Sequence, residues 1–201
     1  MSTGKAFRPF PRKRSAGVCR AIFNPMLTYK FISPRGAVLS RLRIPFALTW
    51  RAERGSLRVQ KSDTERMFGQ RGSFFVPMEE LFDSHILPDA YGSAVGQLVI
   101  ATDPAHSDSG CEPDWDSLRS AYIRGSRGFG LALAQRMFTH PWFEWDLRFV
   151  ATQLATTSKD LQATLFRDAY SYESALRRCR RLHGMLERGH SGCFFTRVAE
   201  P

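Results

Sequence analysis

The chain has 201 residues, a formal net charge of +10 and a pI near 10.0. With 43% hydrophobic residues it has enough apolar mass for one large domain or two small ones, and too much to be disordered throughout. The charge excess asks for nucleic acid, an anionic membrane surface or an acidic protein, and no apolar run is long enough to cross a bilayer.

Residues 1–20 hold Lys5, Arg8, Arg12, Lys13, Arg14 and Arg20 without one acidic residue. Pro9, Pro11 and the lack of an apolar core segment argue against a secretory signal, so a flexible, solvated tail is expected. Cys19, Cys111, Cys179 and Cys193 are scattered with no C-x-x-C spacing. That pattern suits reduced thiols in a cytoplasmic protein rather than a disulfide framework or zinc site.

From 21 to 103 the signals are those of short strands. Ala47–Trp50 precedes Gly55–Val59, where Leu57 and Val59 alternate with Arg58 and Gln60, and Lys61–Glu65 reads as a polar turn. Gly69–Ser73 leads into Phe74-Phe75-Val76-Pro77, with Phe74, Phe75 and Phe82 expected in the core. After a Pro88-Asp89 turn, Val95–Thr102 is the clearest strand. Several short strands at regular spacing predict a small β-barrel or sandwich. Residues 104–117, acidic and rich in Pro, Ser and Gly, read as a linker and domain boundary.

Residues 118–201 read as helical. Leu118, Tyr122 and Ile123 form one stripe; Leu131, Leu133, Ala134, Met137 and Phe138 form another, stopped by Pro141. In a first short helix Leu147, Val150, Ala151 and Leu154 recur at helical spacing, and Ala155-Thr156 makes a turn. Thr157 then caps a second helix, with Asp160 completing a reciprocal T-x-x-D box. Leu161 and Leu165 supply its buried face; Ser158, Lys159, Gln162 and Ala163 lie opposite. Lysine and glutamine suit guanine and adenine edges, and a helix N-terminus favours phosphate. Ser171 is expected to cap a third helix carrying Arg177, Arg178, Arg180 and Arg181. Two short helices with a tight turn match what enters a DNA major groove.

Residues 145–188 resemble the first helix-turn-helix and connecting helix of AraC/XylS-family transcription regulators. The matching residues are Val150-Ala151, Leu154, Leu161-Gln162, Leu165, Ser171-Tyr172, Leu176 and Arg180. The strand-rich half is similar to the cupin-like arm found in many members. The resemblance implies an α+β fold in which a cupin-like β-barrel or sandwich precedes an all-α DNA-binding domain. Its first helix-turn-helix would cover 146–170 and its connecting helix 171–188. It places base readers at Lys159 and Gln162, with Thr157 and Ser158 near phosphate; Arg167 and Arg180 complete the expected DNA-contacting set. Ala163 stands where the family usually has arginine, and Ala169 where it usually has glycine. Phe194–Glu200 resembles the opening of the family's second helix-turn-helix, so residues 193–201 are expected to be an incomplete second unit of a truncated regulator.

No catalytic set emerges. His85, His106, His140, His183 and His190 lack metal-binding spacing, Glu79, Glu80 and Asp83 read as solvated, and Arg124–Gly130 as a turn into a helix. Asp146, Asp160 and Asp168 read as trimming charge or capping helices. The expected function is sequence-specific binding of double-stranded DNA, without cofactor, metal or membrane. Homodimerisation would join two heads, and a small-molecule or protein effector would act on the β-rich half. The rival reading is an interaction protein without DNA affinity that pairs with a full-length regulator; a small cupin enzyme is a distant third.

Overall fold

The computed structural model describes residues 26–62, 64–102, 112–125 and 128–198. The basic tail 1–20, Cys19, Cys111, His106 and most of the acidic linker lie outside the described residues. Eight strands come first: β1 (Met26–Ser33), β2 (Ala37–Arg43), β3 (Leu48–Arg54), β4 (Ser56–Lys61), β5 (Thr64–Phe68), β6 (Ser73–Val76), β7 (Leu81–Leu87) and β8 (Ala94–Ala101). Five helices follow: α1 (Trp115–Ile123), α2 (Phe129–Thr139), α3 (Leu147–Gln153), α4 (Ser158–Arg167) and α5 (Tyr172–Arg188). A last strand, β9 (Phe194–Arg197), closes the described order. The α+β class and the strand sandwich agree with the sequence; β9 does not.

Two antiparallel sheets share the strands, in the orders β6-β3-β8-β1-β9 and β2-β7-β4-β5. Alternation drives them, as in β8, where Ala94, Gly96, Leu98 and Ile100 turn inward and the intervening residues turn outward. Register then stacks Tyr29, Leu98 and Trp50 across three neighbouring strands. Gly96 has a packing reason: a Cβ there would lie 2.6 Å from the Phe31 ring. That ring sits edge-on to Trp50, with centroids 5.5 Å apart.

Phe82 is buried and Phe74 half-buried against Phe68, but Phe75 is exposed because the β6 pleat alternates it outward. Ile123 is likewise exposed, so the first helical stripe reduces to Leu118 and part of Tyr122. The linker is shorter than the composition implied. Asp114 is already the N-cap of α1, accepting from Ser117 N, and its other carboxylate oxygen meets the buried Arg136 of α2 at 3.3 Å.

The helices share the strands' core rather than forming a separate domain. Phe46 stacks edge-on against Phe138 at 5.6 Å, and Gln135 Nε2 donates to Pro45 O at 3.0 Å. Glu79, expected in solvent, accepts from both Nη atoms of Arg178 at 2.9 Å, and Arg43 Nε lies 2.9 Å from the same carboxylate. Arg181 Nη2 donates to Ser40 O and Arg41 O. Phe194–Arg197, expected to open a helical unit, instead pairs antiparallel with β1, and Phe195 packs on Phe31 and Trp50. A strand wins there because only Phe195 of the four residues is buried, and the edge of β1 offers its backbone a ladder.

Two outcomes follow. Removing the carboxylate with Glu79→Ala leaves Arg178 half-buried and unpaired, so urea unfolding should show a loss of about 2–3 kcal/mol. The second concerns pH. Burial pushes the Cys179 and Cys193 thiols up to about 12 and also raises the Tyr170 and Tyr172 phenols. The unfolded chain releases these protons first, so stability is fully present below the unfolded thiol value of about 8.5 and falls as pH rises beyond it. Melting temperature should therefore hold from neutral pH to about 8.5 and decline steadily above.

Candidate nucleic-acid interface

Helix α3 begins where Asp146 Oδ1 accepts from Arg148 N and Phe149 N, both at 2.9 Å. Val150, Ala151 and Leu154 are buried, as the periodicity requires. The helix ends in a doubled hydrogen bond, Thr156 N to Ala151 O and Ala155 N to Thr152 O, which forces Ala155 to φ 53°. Two residues later α4 starts. Thr157 Oγ1 accepts from Asp160 N at 3.1 Å and donates to Asp160 Oδ2 at 2.7 Å, so the reciprocal bond ends on the hydroxyl. The exit of α4 repeats the device, with Tyr170 N bonded to Leu165 O, Ala169 N to Phe166 O and Ala169 at φ 60°.

Helix α4 is anchored from two sides. Leu161 and Leu165 are buried against the core. At its C-cap, Asp168 Oδ2 accepts from Gly128 N at 3.1 Å and Gly130 N at 2.8 Å, crossing to the start of α2. The backbone amides at the N-cap and first turn of α2 thus hold a carboxylate of the chain itself. Gly130 also lets Tyr170 approach, since a Cβ there would come within 2.5 Å of its ring. Asp146, Asp160 and Asp168 all serve helix ends. Ser171 occupies the N-cap position of α5 but makes no side-chain cap bond, and the Tyr172 side chain is buried.

Of the sequence-selected residues, Thr157, Lys159, Gln162 and Arg167 are exposed on α4 or its cap, and Ser158 is half-buried. With 3.6 residues per turn, Gln162, Phe166, Lys159, Ala163 and Arg167 lie in that order across an outer arc of about 140°. Arg167 bends onto Thr164 Oγ1 at 2.9 Å. Arg180 is exposed but sits on α5, about 12 Å along that helix from its first residue. The sequence reading missed Phe166, which is 82% exposed on the same arc. The signal was present: position 166 is one turn beyond Gln162 and off the Leu161–Leu165 stripe. Elsewhere in the helical region Arg148 is exposed on α3 and Arg177, Arg180 and Arg181 on α5, with Arg181 turned to the β2 backbone.

Between the sandwich and the helices lies a cleft of about 290 Å³ lined by Tyr29, Thr102, Phe138, Trp142, His183 and Glu187, among others. Burial holds His183 below the usual imidazole value, against the pull of Glu187 Oε1 at 3.1 Å, and its ring meets Trp142 edge-on. The sandwich interior itself is filled by Phe31, Trp50, Leu98 and Ile100. Among the described residues no three His, Cys, Asp or Glu side chains converge as a metal site, and no helix is long and apolar enough to cross a membrane.

No protein-family profile matches the sequence, and a search of curated proteins finds no match. Among solved structures, a cupin superfamily protein from Desulfitobacterium hafniense is similar over 49% of this chain and 100% of its own, at 12% identity and a TM-score of 0.33. The Cnp3 cupin domain of Schizosaccharomyces pombe is similar over 47% of this chain and 61% of its own, at 16% identity and 0.35. An HTH_3-family transcriptional regulator from Vibrio cholerae is similar over 39% of this chain and 43% of its own, at 10% identity and 0.31.

The paired left-handed alanines generate a stability test. Left-handed backbone costs alanine about 1–2 kcal/mol, partly offset by glycine's greater unfolded-state entropy. Ala155→Gly and Ala169→Gly should each therefore raise stability by about 0.5 kcal/mol, read as a higher denaturant midpoint at unchanged slope.

Proposed function

We propose that α3, its turn and α4 form the DNA-reading unit of a transcription regulator of AraC/XylS type, with the sandwich as its regulatory half. The observation that carries this reading is the outer arc of α4. Leu161 and Leu165 fix the helix to the core while Lys159, Gln162, Ala163 and Phe166 stay free to enter a groove. Lys159 suits a guanine edge and Gln162 an adenine edge, and Ala163 and Phe166 suit thymine methyl groups. Thr157 and Ser158 stand at the helix N-terminus, where backbone amides favour phosphate. Arg167 on the arc, with the exposed Arg148 of α3 and Arg180 of α5, would supply phosphate neutralisation. An effector would enter the cleft between sandwich and helices, since large apolar side chains fill the sandwich interior. The proposal assigns a binding function and no reaction.

One reading head makes a small footprint, so the affinity of a single chain is modest and falls steeply with salt. Lys159→Ala combined with Gln162→Ala should remove about 1–3 kcal/mol of discrimination per contacted base while sparing non-specific binding. Arg180→Ala should weaken binding to all sequences alike and lower the salt slope by about one. Electrophoretic or anisotropy titrations with selected and scrambled duplexes measure both, and equal loss on every sequence from the first pair refutes the assignment.

One observation favours the second reading, a protein that pairs with another regulator without binding DNA. Lys159 and Arg167 on α4 are matched in number by Asp160 and Asp168, and Phe166 is uncovered. Under that reading Phe166→Ala abolishes partner binding, and no duplex is bound at any salt.

A further inference from the structure

The outer face of the five-stranded sheet carries a basic cleft that the DNA reading leaves unused. Along β3, Leu48, Trp50 and Ala52 turn inward, so Thr49 and Arg51 turn outward. Directly paired residues share a face, which places Ser73 and Gln97 beside Arg51, and Phe75 and Val99 beside Thr49. Beyond Gln97 the first of these rows reaches Lys30 of β1. The turn into β6 is tied to the same place, because Arg71 N donates to Ala52 O at 2.9 Å. Arg51, Gln70, Arg71, Ser73 and Gln97 thereby line an open cleft of about 620 Å³, more than twice the volume of the cleft between sandwich and helices. Its lining has one carboxylate, Glu53, and Gln97 Nε2 donates to that group at 2.7 Å. Arg43, Arg54 and Arg58 each meet a carboxylate, whereas Arg51, Arg71 and Lys30 meet none among the described residues.

We propose that this face binds single-stranded nucleic acid, with phosphates on Arg51, Arg71 and Lys30 and a base stacked on Phe75. The Phe75 ring is 61% exposed and stands one row, about 6.7 Å, from Arg51 and Ser73. Unpaired cations beside an open aromatic ring supply the two things a single strand needs: charge that follows its backbone and a surface for an unstacked base. Gln70, Ser73 and Gln97 add hydrogen-bonding groups for phosphate oxygens or base edges. A duplex suits the face poorly, because its bases stack on one another and offer Phe75 no free π-face. An acidic protein would satisfy the charge alone, so its binding would survive removal of the ring. Every base has a π-face, and binding here therefore tolerates changes of sequence.

This site does not rest on the duplex reading of α4 and is tested apart from it. The full chain is titrated against fluorescein-labelled oligothymidylate of about 15 nucleotides and followed by anisotropy over a range of salt. Phe75→Ala should weaken binding about tenfold with the salt slope unchanged, since it removes stacking and no charge. Phe75→Tyr keeps the ring and should bind as the parent does, which separates stacking from any disturbance of the edge strand. Arg51→Gln with Arg71→Gln should weaken binding and lower the salt slope by about 1.4, at about 0.7 for each single-strand phosphate. Arg66→Gln, exposed on β5 of the other sheet, should leave binding unchanged, as should Lys159→Ala with Gln162→Ala on α4. Unlabelled duplex and polyglutamate should each displace the probe at least about tenfold less well than unlabelled oligothymidylate. No binding at low salt, full binding by Phe75→Ala, equal loss from Arg66→Gln, or equal displacement by duplex or polyglutamate each overturns the proposal. Loss of duplex selectivity with single-strand binding intact would count against α4 alone.

Discussion

The carboxylate of Glu79 receives both Nη atoms of Arg178 from α5 and Arg43 from β2, so one acidic side chain joins strands and helices through charge-assisted bonds. The backbone of Glu79 is held as well, its N–H donating to Ile44 O with φ at 61°. A left-handed glutamate is a costly conformation, and the surrounding bonds hold it there. Tyr170 packs under the Arg178 guanidinium at 5.7 Å, and Tyr170 is also where the exit of α4 closes. The same cluster that fastens the two halves therefore fixes the direction in which α4 leaves its turn. Nothing else among the described ion pairs links so many elements at once.

Much of this was legible in the chain, because much of it is local. The alternation of Leu57 and Val59, the box at Thr157 and Asp160, and the leucines at 161 and 165 are short-range patterns with fixed geometric meaning. What stayed hidden depends on distant partners. Glu79 meets a residue 99 positions away, and no local pattern separates it from Glu80. The run Phe74-Phe75-Val76 reads as uniformly buried until the pleat decides which ring faces out. Phe194–Arg197 is too short for periodicity to speak, and its form is set by the bare edge of β1. Without that neighbour, a helical continuation was the natural reading of the resemblance.

The arc of α4 has an unusual balance. Lys159 stands at its middle between Phe166 and Ala163, while Asp160 and Asp168 bind the two ends of the helix. Further positive charge lies on α3 and α5. In the DNA reading, affinity and selectivity are thus divided between elements: flanking arginines hold phosphate while α4 discriminates by shape, methyl contact and two polar side chains. Electrostatic attraction then positions the duplex without deciding its sequence.

The return of β9 to β1 also bears on how the molecule assembles. Ser33 Oγ donates to Gly192 O across a sequence separation of 159, and the five helices lie between. Strand pairing over such a span cannot close early, so the sheet keeps a bare edge while synthesis passes through the whole helical region. During that interval a nascent chain can lend its final strand to a neighbour on the same message. Strand exchange between nascent chains is thus the misfolding hazard built into this topology, and severing strands from helices would leave two fragments, neither with a finished sheet.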